Sequence, residues 1–181
     1  DKTTVDTLPS NADLIVVEGA PRTLQSAGLD ATSLRVVAPK IPLVFISPFG
    51  QTGPNANRPA SDLTLFCASG IARCLTGQVD DLSEPPIRPV GEQSAFIGGL
   101  AAGCAGIHAV LKDGPSTIDV SIQEALATLS MTELTKAGLG GIGWSRKRLA
   151  DGNGATVCIL PAVDGYVAIS PREDHQWAAW L

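Results

Sequence analysis

Two turn-forming segments contain residues that could bind an anionic ligand. They are residues 18–22, which include Gly19 and Arg22, and residues 50–59, which include two glycines and two prolines. Glycine lets a backbone approach a ligand closely, and an arginine can form paired hydrogen bonds with a phosphate. A phosphate-bearing ligand is therefore one interpretation of these segments, and ordinary surface turns with a solvated arginine are the other.

Each segment follows a short apolar run that is typical of a strand buried in a parallel sheet. These runs are residues 14–17 and 43–46, and residues 34–37 are a further strand candidate. A helix is expected at 21–27, because Pro21 in a first turn costs no hydrogen bond, so the order predicts βαβ units. The predicted fold class is therefore α/β, a parallel-sheet, nucleotide-fold-like domain with long helices. Open α/β sheets bind ligands at the carboxyl ends of their strands, where both segments lie.

Two long helices are predicted downstream of these strands. Residues 94–111 contain no Asp, Glu, Lys or Arg, which favours a buried helix; a membrane span is the alternative that this length permits. A lone histidine on an apolar helix is usually a hydrogen-bonded core group, so His108 is expected to be buried. Residues 119–137 carry apolar side chains at helical spacing and predict an amphipathic helix. The glycines expected to allow close packing of the first helix are Gly99, Gly103 and Gly106.

Residues 138–143 match the pattern G-x-G-x-x-G. In dinucleotide-binding folds this pattern follows a strand and opens a helix. Here it follows a predicted helix and leads into the basic cluster at 145–148. The pattern is therefore interpreted as the loop at which a helix ends.

The composition is that of a globular protein, with 44% hydrophobic and 17% charged residues in 181. A net charge of −5 argues against nonspecific nucleic-acid binding, and no membrane partner is expected. The four cysteines lack C-x-x-C spacing, so neither a metal site nor a disulfide framework is predicted, and a reducing cytoplasm is expected. The chain begins with Asp1 rather than Met, so we expect an internal piece of a longer protein.

The order of several motifs resembles that of CoA-transferase family III, the carnitine-dehydratase and bile-acid-inducible group. The most specific motif is Phe49-Gly50-Gln51-Thr52-Gly53-Pro54, which is followed by Arg58-Pro59-Ala60-Ser61-Asp62-Leu63. The other matching segments are Asp13 to Glu18, Gly28 to Asp30, Ile118 to Ser121 with Glu124-Ala125, and Asp164 to Val167 with Gln176-Trp177. The resemblance implies that residues 1–150 are part of the large domain and that 151–181 are a linker and the start of a smaller domain.

The resemblance also implies a function. Family members move CoA from an acyl-CoA thioester to a carboxylic acid, so the CoA thioester would be a substrate and no tightly bound cofactor is expected. They form interlocked dimers, which implies a homodimer here. The residues that this resemblance places against CoA are Gly19, Ala20 and Arg22 in the first turn, Ser47, Phe49, Gly50 and Gln51 after the second strand, and, less directly, Arg73.

The carboxylate that the resemblance implies as nucleophile is missing. Counting from Gly99 places it at Ala95, and counting from Gly91 places it at Phe96. Glu92 would share a helical face with both positions and is the candidate nucleophile; an acidic residue that stabilises a helix start is the alternative. Two other functions remain open: a catalytically silent CoA-binding or dimerisation half of such an enzyme, and an acyl-CoA isomerase or racemase.

Overall fold

The computed structural model describes residues 12–75, 77–85, 89–112, 114–143, 145–147 and 158–181. In chain order its elements are β1 (Ile15–Glu18), α1 (Pro21–Ala27), α2 (Ala31–Val37), β2 (Leu43–Ser47), α3 (Asp62–Ala68), α4 (Ile71–Leu75), α5 (Gln93–Leu111), β3 (Thr117–Ser121), α6 (Ile122–Ala127), a 3-10 turn (Thr128–Ser130), α7 (Met131–Gly138), β4 (Cys158–Pro161), β5 (Tyr166–Ile169) and α8 (Asp174–Trp180).

These elements form two compact units. The first contains the described residues up to Ser69 together with Val90–Leu129, and the second contains those of Gly70–Pro89 and Ser130–Leu181. The boundary expected at residue 150 concerns the domains of a complete protein and stays a prediction.

A parallel sheet with the strand order β1-β2-β3 forms the centre of the first unit. The register aligns Val17 with Phe45 and Phe45 with Asp119, so these three residues lie side by side on one face. The central strand β2 is covered on both faces, as the nearly continuous apolar run predicted. The α/β fold class is thus confirmed.

Helices cover both faces of this sheet. On the face of Val17 and Phe45, α1 and α2 contribute Leu24 and Leu34 to the core. On the opposite face, Val44 and Val120 pack against Ala102 of α5, and that cluster also includes Leu14, Ile46 and Ile118. Burying apolar surface on both faces of one sheet is the main stabilising contribution to such a layered fold.

The strand predicted at 34–37 is wrong, because these residues complete helix α2. Asp30 begins this helix: its carboxylate accepts hydrogen bonds from the backbone N–H groups of Thr32 and Ser33 at 3.0 and 3.3 Å. The Ser33 hydroxyl, which donates to the same carboxylate at 2.6 Å, holds the pKa of Asp30 below its ordinary value. The cap at Asp30 favours a helix and outweighs the strand preference of the β-branched residues Val36 and Val37, which are exposed.

The long helix predicted at 94–111 is observed as α5, but it is buried on one side only. Of the three glycines expected to pack closely, Gly106 faces the protein, whereas Gly99 and Gly103 have open space around them. Gly98, which was not predicted, faces the protein as well. His108, expected in the core, is exposed. By length and composition α5 could cross a membrane; one side of it packs on the sheet, as helices of globular cores do.

The single helix predicted at 119–137 is also wrong. Residues up to Ser121 belong to β3, where they pair with β2, and the helical part is divided by the 3-10 turn into α6 and α7. Ser121 begins α6, because its hydroxyl accepts a hydrogen bond from the N–H of Glu124 at 3.3 Å. The glycine-rich segment after α7 follows a helix, as predicted.

The second unit combines short helices with an antiparallel pair. Strands β4 and β5 pair from Cys158 with Ile169 to Pro161 with Tyr166. Helix α8 begins with a capping box formed by Glu173 and Gln176.

Candidate functional site

The turn after β1 and the loop after β2 lie against each other at the carboxyl ends of the two strands. The side-chain amide of Gln51 donates to the carbonyl oxygen of Gly19 at 3.0 Å. The backbone N–H of Arg22 donates to Oδ1 of Asn57 at 2.9 Å. The structure therefore brings together the two segments for which ligand binding was one interpretation of the sequence.

These hydrogen bonds limit what the two segments can offer a ligand. The N–H of Gly19 donates to Ile46 at 3.0 Å, so both of its backbone polar groups bond within the protein. Ser47 is fully buried and Gly50 is buried, whereas Phe49 and Gln51 are half-buried and Arg22 is exposed. Accessible contacts with a ligand are thus offered chiefly by Arg22 and Phe49, because the side-chain amide of Gln51 is bonded to Gly19. The CoA contacts of Gly19, Ala20, Ser47, Gly50 and Gln51 stay predictions.

Asp119 holds the loop from the third strand. Its Oδ2 accepts a hydrogen bond from the backbone N–H of Gln51 at 2.8 Å. Gly50 has a φ of +82°, and a Cβ built there would lie 3.2 Å from the same oxygen, so a side chain at this position would meet both strain and crowding. Asp119 was missed as a site residue because the sequence placed it at the start of a helix.

A cavity of about 420 Å³ opens beside these residues, on the sheet face covered by α1 and α2. It is lined by Pro21, Gln25, Asp30, Ala31, Thr32, Phe45, Gln51, Thr52, Thr117 and Asp119. The lining thus contains two carboxylates and no basic side chain. The two carboxylates would repel an anionic group in this cavity, and Arg22 lies outside its lining.

Arg73 lies on α4 in the second unit and is exposed. Its contact with CoA stays a prediction.

The first turn of α5 contains Ala95 and Phe96, the two positions at which the resemblance implies a catalytic carboxylate. Ala95 is exposed, and Phe96 has 68% of its surface exposed. Glu92 immediately precedes the helix, is exposed, and does not cap it with its side chain. Glu92 is therefore accessible and precedes Ala95 and Phe96 by about one helical turn.

A second carboxylate, Asp62, lies at the same helix start. Its Oδ1 accepts hydrogen bonds from the backbone N–H groups of Ser94 and Ala95 at 2.6 and 3.2 Å. The Ser94 hydroxyl returns a hydrogen bond to the backbone carbonyl of Asp62 at 2.7 Å. The sequence suggested Ser61 or Asp62 as the cap of α3. Ser61 caps it, since its hydroxyl accepts a hydrogen bond from the N–H of Thr64. The carboxylate of Asp62 instead caps the N-terminus of α5.

His108 and Glu92 cannot act as an acid and base pair. Glu92 precedes α5 and His108 lies 16 positions further along the chain, near the end of this helix. At the standard rise per residue, this places them about 24 Å apart. Among the residues that the structure describes, no group of three or more His, Cys, Asp or Glu side chains is arranged to hold a metal ion.

Comparison with known proteins gives a consistent result. The model of CoA-transferase family III matches residues 1–181. The chain is 27% identical over 173 residues to a succinate–glutarate CoA-transferase of Agrobacterium fabrum, covering 94% of this chain and 42% of that protein. It is 26% identical over 178 residues to the succinyl-CoA:(R)-benzylsuccinate CoA-transferase subunit BbsE of Thauera aromatica, covering 97% and 43%.

A solved structure shares the fold. A CAIB/BAIF family protein from Brucella suis superposes with a TM-score of 0.71 at 22% identity, over 98% of this chain and 47% of that one. This chain therefore spans less than half the length of each of these relatives.

Proposed function

Because the chain belongs to CoA-transferase family III, we propose that the complete protein moves CoA from an acyl-CoA thioester to a carboxylic acid. The observation that carries this proposal is the family match along the whole chain, together with the CoA-transferase names of its relatives. The CoA thioester would be a substrate, and no tightly bound cofactor is proposed. Since this chain spans 42–43% of the length of those relatives, the activity is proposed for the complete protein.

The turn after β1 and the loop after β2 are the proposed CoA-binding surface. Both lie at the carboxyl ends of parallel strands, where α/β sheets bind ligands. Arg22 would pair with a CoA phosphate, and Phe49 would form part of the opposing wall, because Arg22 is exposed and Phe49 is only half-buried. Gln51 lies in that wall with its side-chain amide bonded to Gly19.

Glu92 is the proposed nucleophile. A carboxylate oxygen attacks the thioester carbonyl carbon, a C–O bond forms, the C–S bond breaks, and CoA leaves as its thiolate. The product is a mixed anhydride whose acyl group can then be displaced. Asp62 is less suited to this step, because its Oδ1 is engaged by two backbone N–H groups that begin α5.

A catalytically silent half of such an enzyme is the second candidate. Ala95 and Phe96 favour it, since neither side chain can attack a thioester. The name of the relative from Thauera aromatica calls it a subunit of a CoA-transferase, which supports this candidate. A partner chain would then supply the nucleophile, while this chain binds CoA or forms the interface.

Trapping the acyl-enzyme in the complete protein separates the two candidates. The protein is incubated with acetyl-CoA or succinyl-CoA and then with hydroxylamine, and modified carboxylates are mapped by peptide mass spectrometry. We expect a hydroxamate on Glu92 that is lost in Glu92→Gln and retained in Glu124→Gln, which removes another exposed carboxylate of the same unit. A hydroxamate on Asp62 would contradict the assignment of Glu92, and CoA binding without any adduct would support the silent half.

We also propose a homodimer formed through the outer face of α5. Phe96, Leu100, Ile107 and Leu111 are exposed along one side of this helix. The helix carries no Asp, Glu, Lys or Arg. An uncharged face of this kind can pack on its own copy without desolvating unpaired charges.

A cytoplasmic location is proposed as well. Cys67 and Cys104 are free and exposed, and thiols of this kind persist in a reducing compartment.

A further inference from the structure

A chain of hydrogen bonds crosses the carboxyl edge of the sheet from β3 to β1. Oδ2 of Asp119 accepts from the backbone N–H of Gln51 at 2.8 Å, and the side-chain amide of Gln51 donates to the carbonyl of Gly19 at 3.0 Å. One residue on the third strand therefore fixes the loop after the second strand, and that loop fixes the turn after the first.

We propose that Asp119 and Gln51 are positioning residues that set the separation between the two walls of the CoA site. This inference rests on the proposed function, because the walls are the turn and the loop assigned to CoA above. Neither residue is proposed to react. Asp119 acts by holding the backbone at Gln51, and Gln51 acts by holding Gly19.

The local geometry makes this link stiff. Gly50 adopts a φ of +82°, which turns the chain so that the next N–H points at the carboxylate of Asp119. A hydrogen bond to an ionised acceptor is stronger than one between neutral groups. Asp119 lies on β3, and the pairing of β3 with β2 holds the backbone that carries its carboxylate.

A second link between the walls does not involve Asp119. The N–H of Arg22 donates to the side chain of Asn57 at 2.9 Å. Loss of the Asp119 link should therefore loosen the site without separating the walls completely. A moderate loss of affinity is expected rather than a complete one.

The test measures binding of CoA and acetyl-CoA to the complete protein by calorimetry. Asp119→Ala and Gln51→Ala should each weaken binding about tenfold, the loss that one hydrogen bond to a charged or pre-positioned group produces. Asp119→Asn retains an acceptor oxygen and should stay within about threefold of the wild type. Asp30→Asn is the matched control, because it removes the other carboxylate charge from the same cavity while leaving the link intact.

The double variant Gln51→Ala with Asp119→Ala tests whether the two residues act through one link or cause two independent structural defects. Residues that act through one link are not additive, so the double variant should bind about as weakly as Asp119→Ala alone. Additive losses would overturn the proposal. If Asp119→Ala does not fold, the affinity of Gln51→Ala decides, since its side-chain amide is the donor that links the loop to Gly19.

Failure of this inference can be told apart from failure of the proposed function. A wild-type protein that binds neither CoA nor acetyl-CoA would remove both. A wild type that binds, with Asp119→Ala and Gln51→Ala within about threefold of it, would overturn the positioning role and leave the CoA site in place.

Discussion

At the scale of single residues, the carboxylates of the first unit have different tasks that their contacts define. Asp30 caps the N-terminus of α2, Asp62 caps the N-terminus of α5, and Asp119 holds the loop after β2. Glu92 differs from these three because it is exposed and its side chain does not cap the helix that follows it. An exposed carboxylate that does not cap its helix is free to react, which is why Glu92 is the proposed nucleophile.

The helix start at α5 provides a stability prediction for one residue. Asp62→Ala removes the acceptor for the N–H groups of Ser94 and Ala95, and Ser94 is fully buried. We expect the free energy of unfolding to fall by about 1–3 kcal/mol, because a buried donor is left without a partner. Urea denaturation of the complete protein measures this loss, with Asp62→Asn as the control that retains an oxygen. Equal losses for the two variants would contradict the assigned role.

At the scale of elements, α5 is adapted to lie close to its neighbours. Gly98 and Gly106 face them, and a Cβ on Gly98 would lie 2.8 Å from Cγ1 of Ile122, while one on Gly106 would lie 2.9 Å from Leu14. The small residues on this side bring the start of α5 against α6 and the rest of it against the sheet. Larger residues would push the helix away and separate the layers of the core.

Adjacent glycines of α5 should respond oppositely to alanine. Gly98→Ala is expected to lower the free energy of unfolding by about 1–3 kcal/mol, because Ile122 is buried and contacts the new methyl through its branch point. Gly99→Ala adds a methyl where the structure shows nothing within 4 Å and should raise stability by about 0.5–1 kcal/mol through helix propensity. Thermal unfolding of both variants tests the pair, and a stabilised Gly98→Ala would show that α5 does not pack as described.

At the scale of the whole molecule, the exposed face of α5 points to a further contact. The face presents Phe96, Leu100, Ile107 and Leu111. A continuous apolar stripe on a helix marks an interaction surface more often than it marks free surface. The proposed occupant is a second copy.

The dimer is tested by a charge on that face. Ile107→Lys places a cation in the middle of the stripe and is expected to convert a dimer of the complete protein into a monomer in analytical ultracentrifugation, because the charge would be desolvated without a partner. Val36→Lys, on the exposed side of α2, is the control and should remain dimeric. A dimer that persists in Ile107→Lys would show that α5 is not the interface.

The amino-acid sequence by itself determined the family, the fold class and the elements whose signals are local. Strands β1 and β2, helix α1, the loop after β2 and the glycine-rich end of α7 were predicted near their observed positions, since apolar runs, Pro21 and glycines act within a few residues. Where two local signals competed, as at 34–37, the sequence could not show that the cap at Asp30 outweighs β-branched side chains.

Only the tertiary structure decided which residues hold the candidate site. Asp62 and Ser94 are 32 residues apart, and Asp119 and Gln51 are 68 residues apart. No pattern within either segment specifies such a partner, because the contact exists only once the sheet register and the position of α5 are fixed. The same holds for the two sides of α5, whose glycines are alike in sequence and differ in what lies opposite them.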